Sequence, residues 1–334
     1  MEIGDYTVIK SLGEGSFGEI FLGSKKESTE KYVIKTFDKS KLTTEVRKYF
    51  DNELSILKDI NHPNIIKFYE VEEKEKEIYV IEEFCNGGAL SKFLEYYLNE
   101  KKEPFSEEMV QHIMRQLIDA VKYLHDKKLM HRDLKSENIL LHYEDKKSRE
   151  NKDIMKAQIK IIDFGFARYL KEGELAKTIL GSPLNMSPYI LNGLISTEKN
   201  KKIGYNEKEE IWTLGTICYE LLTGETLFNA VDIDDLAVNI NKGDYYLPLT
   251  LSKEAISFLN CMLQYYSENR LSAAQLSKHD FLIKNVSEFK KVDIKELKNV
   301  KVIIKPTILI NTKENESIWE NFGKGIEDTD NPFN

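Results

Sequence analysis

Three cysteines in 334 residues leave little material for a disulfide framework. Cys85, Cys218 and Cys261 are too few and too scattered to cross-link a secreted fold or build a thiolate zinc site, which favours a reducing, cytoplasmic setting. No run of about 18 apolar residues is present to span a bilayer, and the first ten residues lack the apolar core of a secretion signal. Integral membrane association is therefore not expected. Positive charge is not in surplus either: 48 basic residues against 56 acidic ones give a net charge of -8, so no nucleic-acid-binding surface is announced. What the chain does have is 41% hydrophobic residues, enough to fill the core of two ordinary domains or of one large two-part domain.

The hydrophobic pattern changes period along the chain. Tyr6 to Ile9, Glu19 to Leu22 and Tyr32 to Lys35 read as short strands separated by turn residues, which predicts an antiparallel meander. Between Thr43 and Ile60, Val46, Phe50, Leu54, Leu57 and Ile60 recur at steps of three and four, a helical face ended by Asn61-His-Pro63. Strands are expected again around Ile65 to Val71 and Ile78 to Phe84, and Asn86-Gly-Gly88 marks a boundary beyond which helical periods dominate. Helices are predicted over Leu90 to Tyr97, Glu107 to Asp126, Ile211 to Thr223 and Ala255 to Gln264. The expectation is an α+β fold of two lobes: a small antiparallel-sheet lobe with one major helix (1–85), a larger, mainly helical lobe (86–284), and a partly ordered or docking tail (285–334). Within the second lobe, His142 to Ala157 is a charge-rich insert between the apolar runs at Ile139 and Ile159, expected as an exposed excursion between paired strands. Val300 to Leu309 has some strand character, and Trp319 and Phe322 are large apolar residues in a polar tail.

Chemistry enters first at Leu12-Gly-Glu-Gly-Ser-Phe-Gly-Glu-Ile20, where Gly13, Gly15 and Gly18 lie between two strand patterns. A turn without side chains lets backbone N–H groups approach phosphates, although the same spacing opens dinucleotide-binding units. A strand rather than a helix follows here, which disfavours the dinucleotide case. Lys35, at the end of an apolar strand, could clamp α- and β-phosphates if a carboxylate held it, and Glu53 on the following helix is the candidate. The most specific stretch is His131-Arg-Asp-Leu-Lys-Ser-Glu-Asn138, followed by the interrupted strand pair and Asp163-Phe-Gly165. There Asp133 can accept a hydroxyl proton, Lys135 can neutralise a transferring phosphoryl group, and Asn138 and Asp163 can share metal ions bridging the phosphates.

These motifs in this order resemble the eukaryotic protein kinase family over roughly residues 4 to 284. Asp163-Phe-Gly-Phe-Ala-Arg168 and Thr178-Ile-Leu-Gly-Ser-Pro183 look most like the ULK-type autophagy-initiating serine/threonine kinases, with calcium/calmodulin-related kinases close rivals. The resemblance implies ATP and Mg2+, and protein substrates with serine or threonine acceptors. It places adenine between Leu12, Ile20, Val33 and Leu140, with the backbones of Glu83 and Cys85 on its edge. Lys135 fits the serine/threonine type, and Phe166 points to serine. Thr178 is the implied regulatory site, its phosphate paired with Arg132, whereas Ser182 belongs to the substrate groove.

Four positions depart from the family pattern. Val33 replaces an alanine above the adenine; Glu82 replaces an apolar residue or threonine, putting a carboxylate near Lys35 in competition with Glu53; Ser187-Pro-Tyr189 replaces Ala-Pro-Glu, leaving Arg270 without its expected carboxylate and the segment less firmly anchored; and Glu210 replaces an aspartate. These departures motivate one alternative, a pseudokinase that signals without transferring phosphate; a kinase of small molecules sharing the fold is disfavoured by the complete segment between Asp163 and Pro188, which in this family shapes a groove for a peptide substrate.

Overall fold

The computed structural model describes residues 2–15, 18–41, 44–164, 168–169, 183–195, 204–248, 250–291 and 300–303. Strands β1 (Glu2–Ile3), β2 (Tyr6–Gly15), β3 (Gly18–Lys25) and β4 (Lys31–Asp38) lead into helix α1 (Thr44–Asp59), then β5 (Phe68–Glu73), β6 (Glu77–Glu83) and the short β7 (Gly88–Ala89). Helices α2 (Leu90–Lys101) and α3 (Glu107–Asp126) precede β8 (Leu129–Met130), β9 (Ile139–His142), a short helix α4 (Lys146–Glu150), β10 (Gln158–Ile161) and β11 (Arg168–Tyr169). Later come α5 (Pro188–Ile195), α6 (Glu207–Thr223), α7 (Ile233–Lys242), β12 (Asp244–Leu247), α8 (Lys253–Met262) and β13 (Val300–Ile303). The chain falls into two compact units, residues 1–93 with 119–169, and residues 94–118 with 170–334.

The first unit is built on an antiparallel sheet of order β1-β2-β3-β4-β6-β5, the expected meander with one helix inserted. Because side chains alternate faces along a strand, Tyr32 and Ile34 of β4 share a side with Tyr79 and Ile81 of β6, and with Ile3 and Tyr6 they form one buried cluster. Tyr32 meets Tyr6 and Tyr69 edge-on, with ring centroids 5.1 Å apart in each pair. The opposite side presents Phe37, Ile78 and Val80, which receive Phe50 and Leu54 from α1. The three- and four-residue spacing that predicted α1 is therefore the spacing of the face it buries.

The predicted strand pair around the insert is present: Ile139 faces Ile161, Leu140 faces Lys160 and Leu141 faces Ile159 in an antiparallel ladder. Between them the insert holds α4, capped by the Asp145 side chain accepting from Ser148 N, and a helical turn begun by Asp153. Only part of the expected strand from Ile65 forms. Ile65 makes a single parallel bridge to Ile161, with Ile66 N donating to Ile161 O at 2.9 Å, and the regular strand begins at Phe68.

In the second unit α6 is buried almost all round, from Glu209 to Leu222. Asn206 caps its start, and its end falls at Gly224, whose φ of 76° lies in the left-handed region and where a Cβ would come within 2.7 Å of Leu98. Tail residues Val300 to Ile303 pair with Asp244 to Leu247, so this stretch of the tail docks as a strand. Residues 304–334, with Trp319 and Phe322, lie outside the described set.

Arg270 corrects the expectation that it lacks a carboxylate. Glu209, one residue before Glu210 on α6, lies with its Oε2 2.9 Å from Arg270 Nη1, and both side chains are essentially fully buried. The guanidinium also donates to the carbonyls of Gln264, Lys208 and Tyr265, and it lies over the Trp212 ring at 5.2 Å. Ser187 Oγ donates to the same carboxylate oxygen and accepts from Ile190 N, so the start of α5 is tied to Arg270 through Glu209. Tyr189 is instead exposed, its hydroxyl accepting from Gly204 N. Leaving one buried charge unpartnered costs about 3–5 kcal/mol. Glu209→Ala should therefore lower the thermal unfolding midpoint markedly, whereas the paired change of Glu209 and Arg270 to methionine should lower it less; calorimetry on both variants checks this.

Candidate functional site

The glycine-rich turn is the β2 to β3 hairpin, where Gly15 pairs with Gly18, and Ser16 and Phe17 lie outside the described residues. Gly18 is required by close approach: a Cβ there would stand 2.0 Å from Thr36 O. Thr36 holds the base of the hairpin, its Oγ1 accepting from Glu19 N and donating to Glu19 O, both at 2.9 Å. Gly13, at φ 145°, lies next to a register shift in β2. Ile20 pairs with Lys35, Leu22 with Val33, and Val33 with Glu82, so Ile20, Val33, Lys35 and Glu82 project from one face of the sheet. Of the other residues expected around adenine, Leu12 is exposed and Leu140 half-buried on β9.

The Lys35 ammonium lies 3.0 Å from Glu82 Oε2, with the carboxylate 4% and the lysine 20% exposed. Glu53 is on α1, and its side chain lies outside the described residues. Beyond Glu82 the chain is fastened repeatedly. Glu83 N donates to Lys67 O at 2.9 Å, the Glu83 carboxylate accepts from Lys67 N and pairs with Lys160 at 2.8 Å, and Asn86 exchanges side-chain bonds with the Tyr143 backbone. Lys160 went unread in the sequence, although a lysine inside the apolar run Ile159-Lys-Ile-Ile signals a buried cation that must be paired. Cys85 is buried between these ties, and burial, followed by the charge of Glu83, pushes its thiol up to about 12.

The residues from His131 to Asn138 connect β8 to β9 and are assembled by hydrogen bonds that converge on Asp133. Asn138 Nδ2 donates to Asp133 O at 2.9 Å and Oδ2 at 3.0 Å, and Lys135 Nζ lies 3.0 Å from the same Oδ2. With both donors on Oδ2, Oδ1 is the oxygen available to a substrate proton. Asp133 N donates to His131 Nδ1 at 3.3 Å, which makes Nε2 the protonated nitrogen, and Nε2 donates to Ile162 O at 2.9 Å. Ile162 N in turn donates to Asn138 O at 2.9 Å. Asp163 follows, exposed and at φ 67°, between the tethered Ile162 and Phe164, a fully buried ring set edge-on against His131 at 4.7 Å. Arg132, at φ 72°, is buried.

The two expected metal ligands are thus joined through one backbone hydrogen bond, Asn138 O to Ile162 N. Their donors suit magnesium: with Asn138 Nδ2 committed to Asp133, its Oδ1 and the Asp163 carboxylate are hard oxygens, and Mg2+ takes one or two such groups while leaving positions to phosphate oxygens. Gly165, Phe166, Thr178 and Ser182 lie outside the described residues.

No helix among the described residues is long and apolar enough to cross a membrane. Residues 6–282 match the family model for the protein kinase domain. The chain is 32% identical over 286 residues to the serine/threonine-protein kinase atg1 of Dictyostelium discoideum, an overlap covering 84% of this chain but 39% of that protein. To a probable myosin light chain kinase of the same organism it is 32% identical over 289 residues, 85% of each chain, and to myosin light chain kinase A 31% over 287 residues, 84% of this chain and 89% of the other. With the family model spanning most of its length, and serine/threonine kinases at this identity, the chain belongs to the protein kinase domain family, on its serine/threonine side.

Proposed function

We propose that the chain transfers the γ-phosphate of magnesium-ATP to serine hydroxyls of protein substrates. The observation that carries this is the placement of Asp133, whose Oδ2 is held by Asn138 and Lys135 while Asn138 is tied to the residue preceding Asp163. In the reaction the substrate hydroxyl oxygen bonds to the γ-phosphorus, its proton passes to Asp133 Oδ1, and the bond from the γ-phosphorus to the β–γ bridging oxygen breaks, releasing ADP. Lys135 offsets charge on the transferring group, and Lys35 holds the α- and β-phosphates. Magnesium, when bound through Asn138 and Asp163, supplies positive charge to the phosphate oxygens.

A pseudokinase is disfavoured because Lys35, Asp133, Lys135, Asn138 and Asp163 are all present. Relatives named as atg1 and as myosin light chain kinases stand at equal identity, so a ULK-like role in autophagy rests on Asp163 to Arg168 and Thr178 to Pro183. A cytoplasmic location fits three thiols that are all unpaired.

Asp133→Asn, Asp163→Ala and Lys35→Met should each lower phosphoryl transfer on the order of 10²- to 10³-fold or more, because they remove the proton acceptor, a magnesium ligand and the phosphate clamp. The assay is transfer from labelled magnesium-ATP to a generic protein substrate, with circular dichroism to show the fold intact; wild-type turnover by Asp163→Ala would remove its metal role.

Phosphorylation of Thr178 should raise activity, since it lies between the Asp163 motif and Ser187 in sequence and Arg132 offers a cationic partner. Mass spectrometry of active enzyme should find Thr178 modified, and Thr178→Ala should be impaired. A peptide library should show serine preferred over threonine as acceptor, following Phe166, and equal use of threonine would contradict that assignment.

A further inference from the structure

A cavity of about 510 Å³ opens in the second unit beside the start of α8, and none of the residues assigned above to phosphoryl transfer lines it. Three stretches of chain build its wall: α8 itself, the link between the short helices α9 (Ala273–Leu276) and α10 (Asp280–Ile283), and the chain that follows α10. Together they contribute four lysines, Lys253, Lys278, Lys284 and Lys290, against two carboxylates, Glu254 and Asp280. A chain of net charge -8 therefore carries a concave site with a surplus of positive charge. Both carboxylates are already committed. Glu254 is buried and its Oε2 accepts from Lys290 N at 2.9 Å, while Asp280 pairs with Lys284 at 2.6 Å. Among the described residues, that leaves Lys253, Lys278 and Lys290 with no carboxylate partner.

The backbone holds two of these lysines together. Ser252 forms an antiparallel bridge with Lys291 and Lys253 N donates to Lys290 O at 2.9 Å, which sets Lys253 and Lys290 opposite each other. Like charges in opposite positions repel, and here main-chain bonds keep the two residues adjacent. An anion between them turns that repulsion into attraction on both sides. The half-buried part of the lining is fixed as well: His279 Nδ1 accepts from Phe281 N at 3.1 Å, so Nε2 bears the proton and donates to Ser257 Oγ at 3.1 Å. Burial lowers the pKa of this imidazole, so it adds no charge at neutral pH. We propose that the cavity binds a small anion bearing clustered phosphate groups, held by Lys253, Lys278 and Lys290. Its volume falls in the range of roughly 300–1,000 Å³ usual for small-molecule sites, yet its wall is charged rather than apolar, which suits a compact polyanion. Each phosphate group brings a charge of about -1.5 to -2, so two of them match three ammonium groups where a single carboxylate does not. The source is a free multiphosphate or the same headgroup on a lipid. The site does not depend on the kinase function proposed above.

The probe is inositol hexakisphosphate, titrated into the full chain and followed by calorimetry. It should bind, more weakly as ionic strength rises, with Lys253→Gln, Lys278→Gln and Lys290→Gln each lowering the affinity about three- to tenfold. Lys58→Gln, which removes the same charge from an exposed position on α1, and Lys35→Met, which removes the phosphate clamp, should leave that affinity unchanged. A second measurement needs no variant: when an amine-reactive reagent acylates the wild-type chain, the probe should protect Lys253, Lys278 and Lys290 selectively, as read by mass spectrometry. Phosphatidylcholine vesicles with and without phosphatidylinositol bisphosphate separate the two sources. Capture by the phosphoinositide vesicles assigns the lipid headgroup, binding of the free probe alone assigns the soluble ligand, and either supports the site. The proposal is overturned if neither the free probe nor the phosphoinositide vesicles bind, if protection spreads evenly over the surface lysines, or if Lys58→Gln weakens binding as much as the cavity substitutions do.

Discussion

The bond from Ile162 N to Asn138 O is the constraint on which the catalytic arrangement depends. It closes the β9 and β10 hairpin at the end where both strands pass into functional residues. Because the register of that hairpin is fixed by Ile139, Leu141, Ile159 and Ile161, all fully buried, a slip by one residue would expose every one of them. Hydrophobic burial thereby sets the separation of Asn138 from Asp163, two polar residues that could not set it themselves. His131 completes the assembly by bonding Ile162 O with one nitrogen and Asp133 N with the other. One imidazole in one tautomer then orients the proton acceptor and the start of the metal-binding stretch together. The insert from His142 to Ala157 can vary in length and charge without disturbing this, since it leaves and re-enters at the far end of the ladder.

Charge in the buried parts of the molecule follows one rule. Three of the cations described, Lys35, Lys160 and Arg270, each have a carboxylate within 3.0 Å. For Arg270 the carboxylate comes from a different position than the one family resemblance leads to, Glu209 in place of a glutamate at 189. The physical requirement is a negative charge at a point in space, and the chain meets it from whichever backbone passes close by.

Much of the fold was legible because burial imposes a period. The stripe of Met109, Ile113, Leu117 and Val121 predicted a helix over Glu107 to Asp126, and α3 has those bounds. The strand pair around the insert was equally plain, as were the motifs around Asp133, Asn138 and Asp163. Elements escaped where a nonlocal bond decides the structure. Ile65 and Ile66 look like strand residues, yet Asn64 and Ile66 bond to β10 and postpone the strand to Phe68. Helix α7 is short, and its best signals are its caps, Asp232 and Gly243, rather than a long stripe. Glu209 was missed for a simpler reason: on a helix buried all round, sequence offers no polar face from which to judge which of two adjacent glutamates points where.

The pairing of Val300 to Ile303 with Asp244 to Leu247 bears on where this chain can be cut. A strand whose partner is removed presents a row of unsatisfied N–H and C=O groups, a template for any extended segment that meets it. Shortening the polypeptide to residue 284 would keep every motif named above and still bare that row beside the apolar side chains Tyr245 and Leu247. A truncation chosen by family boundaries alone would in this way trade an internal strand pair for an adhesive edge, and self-association would be its symptom.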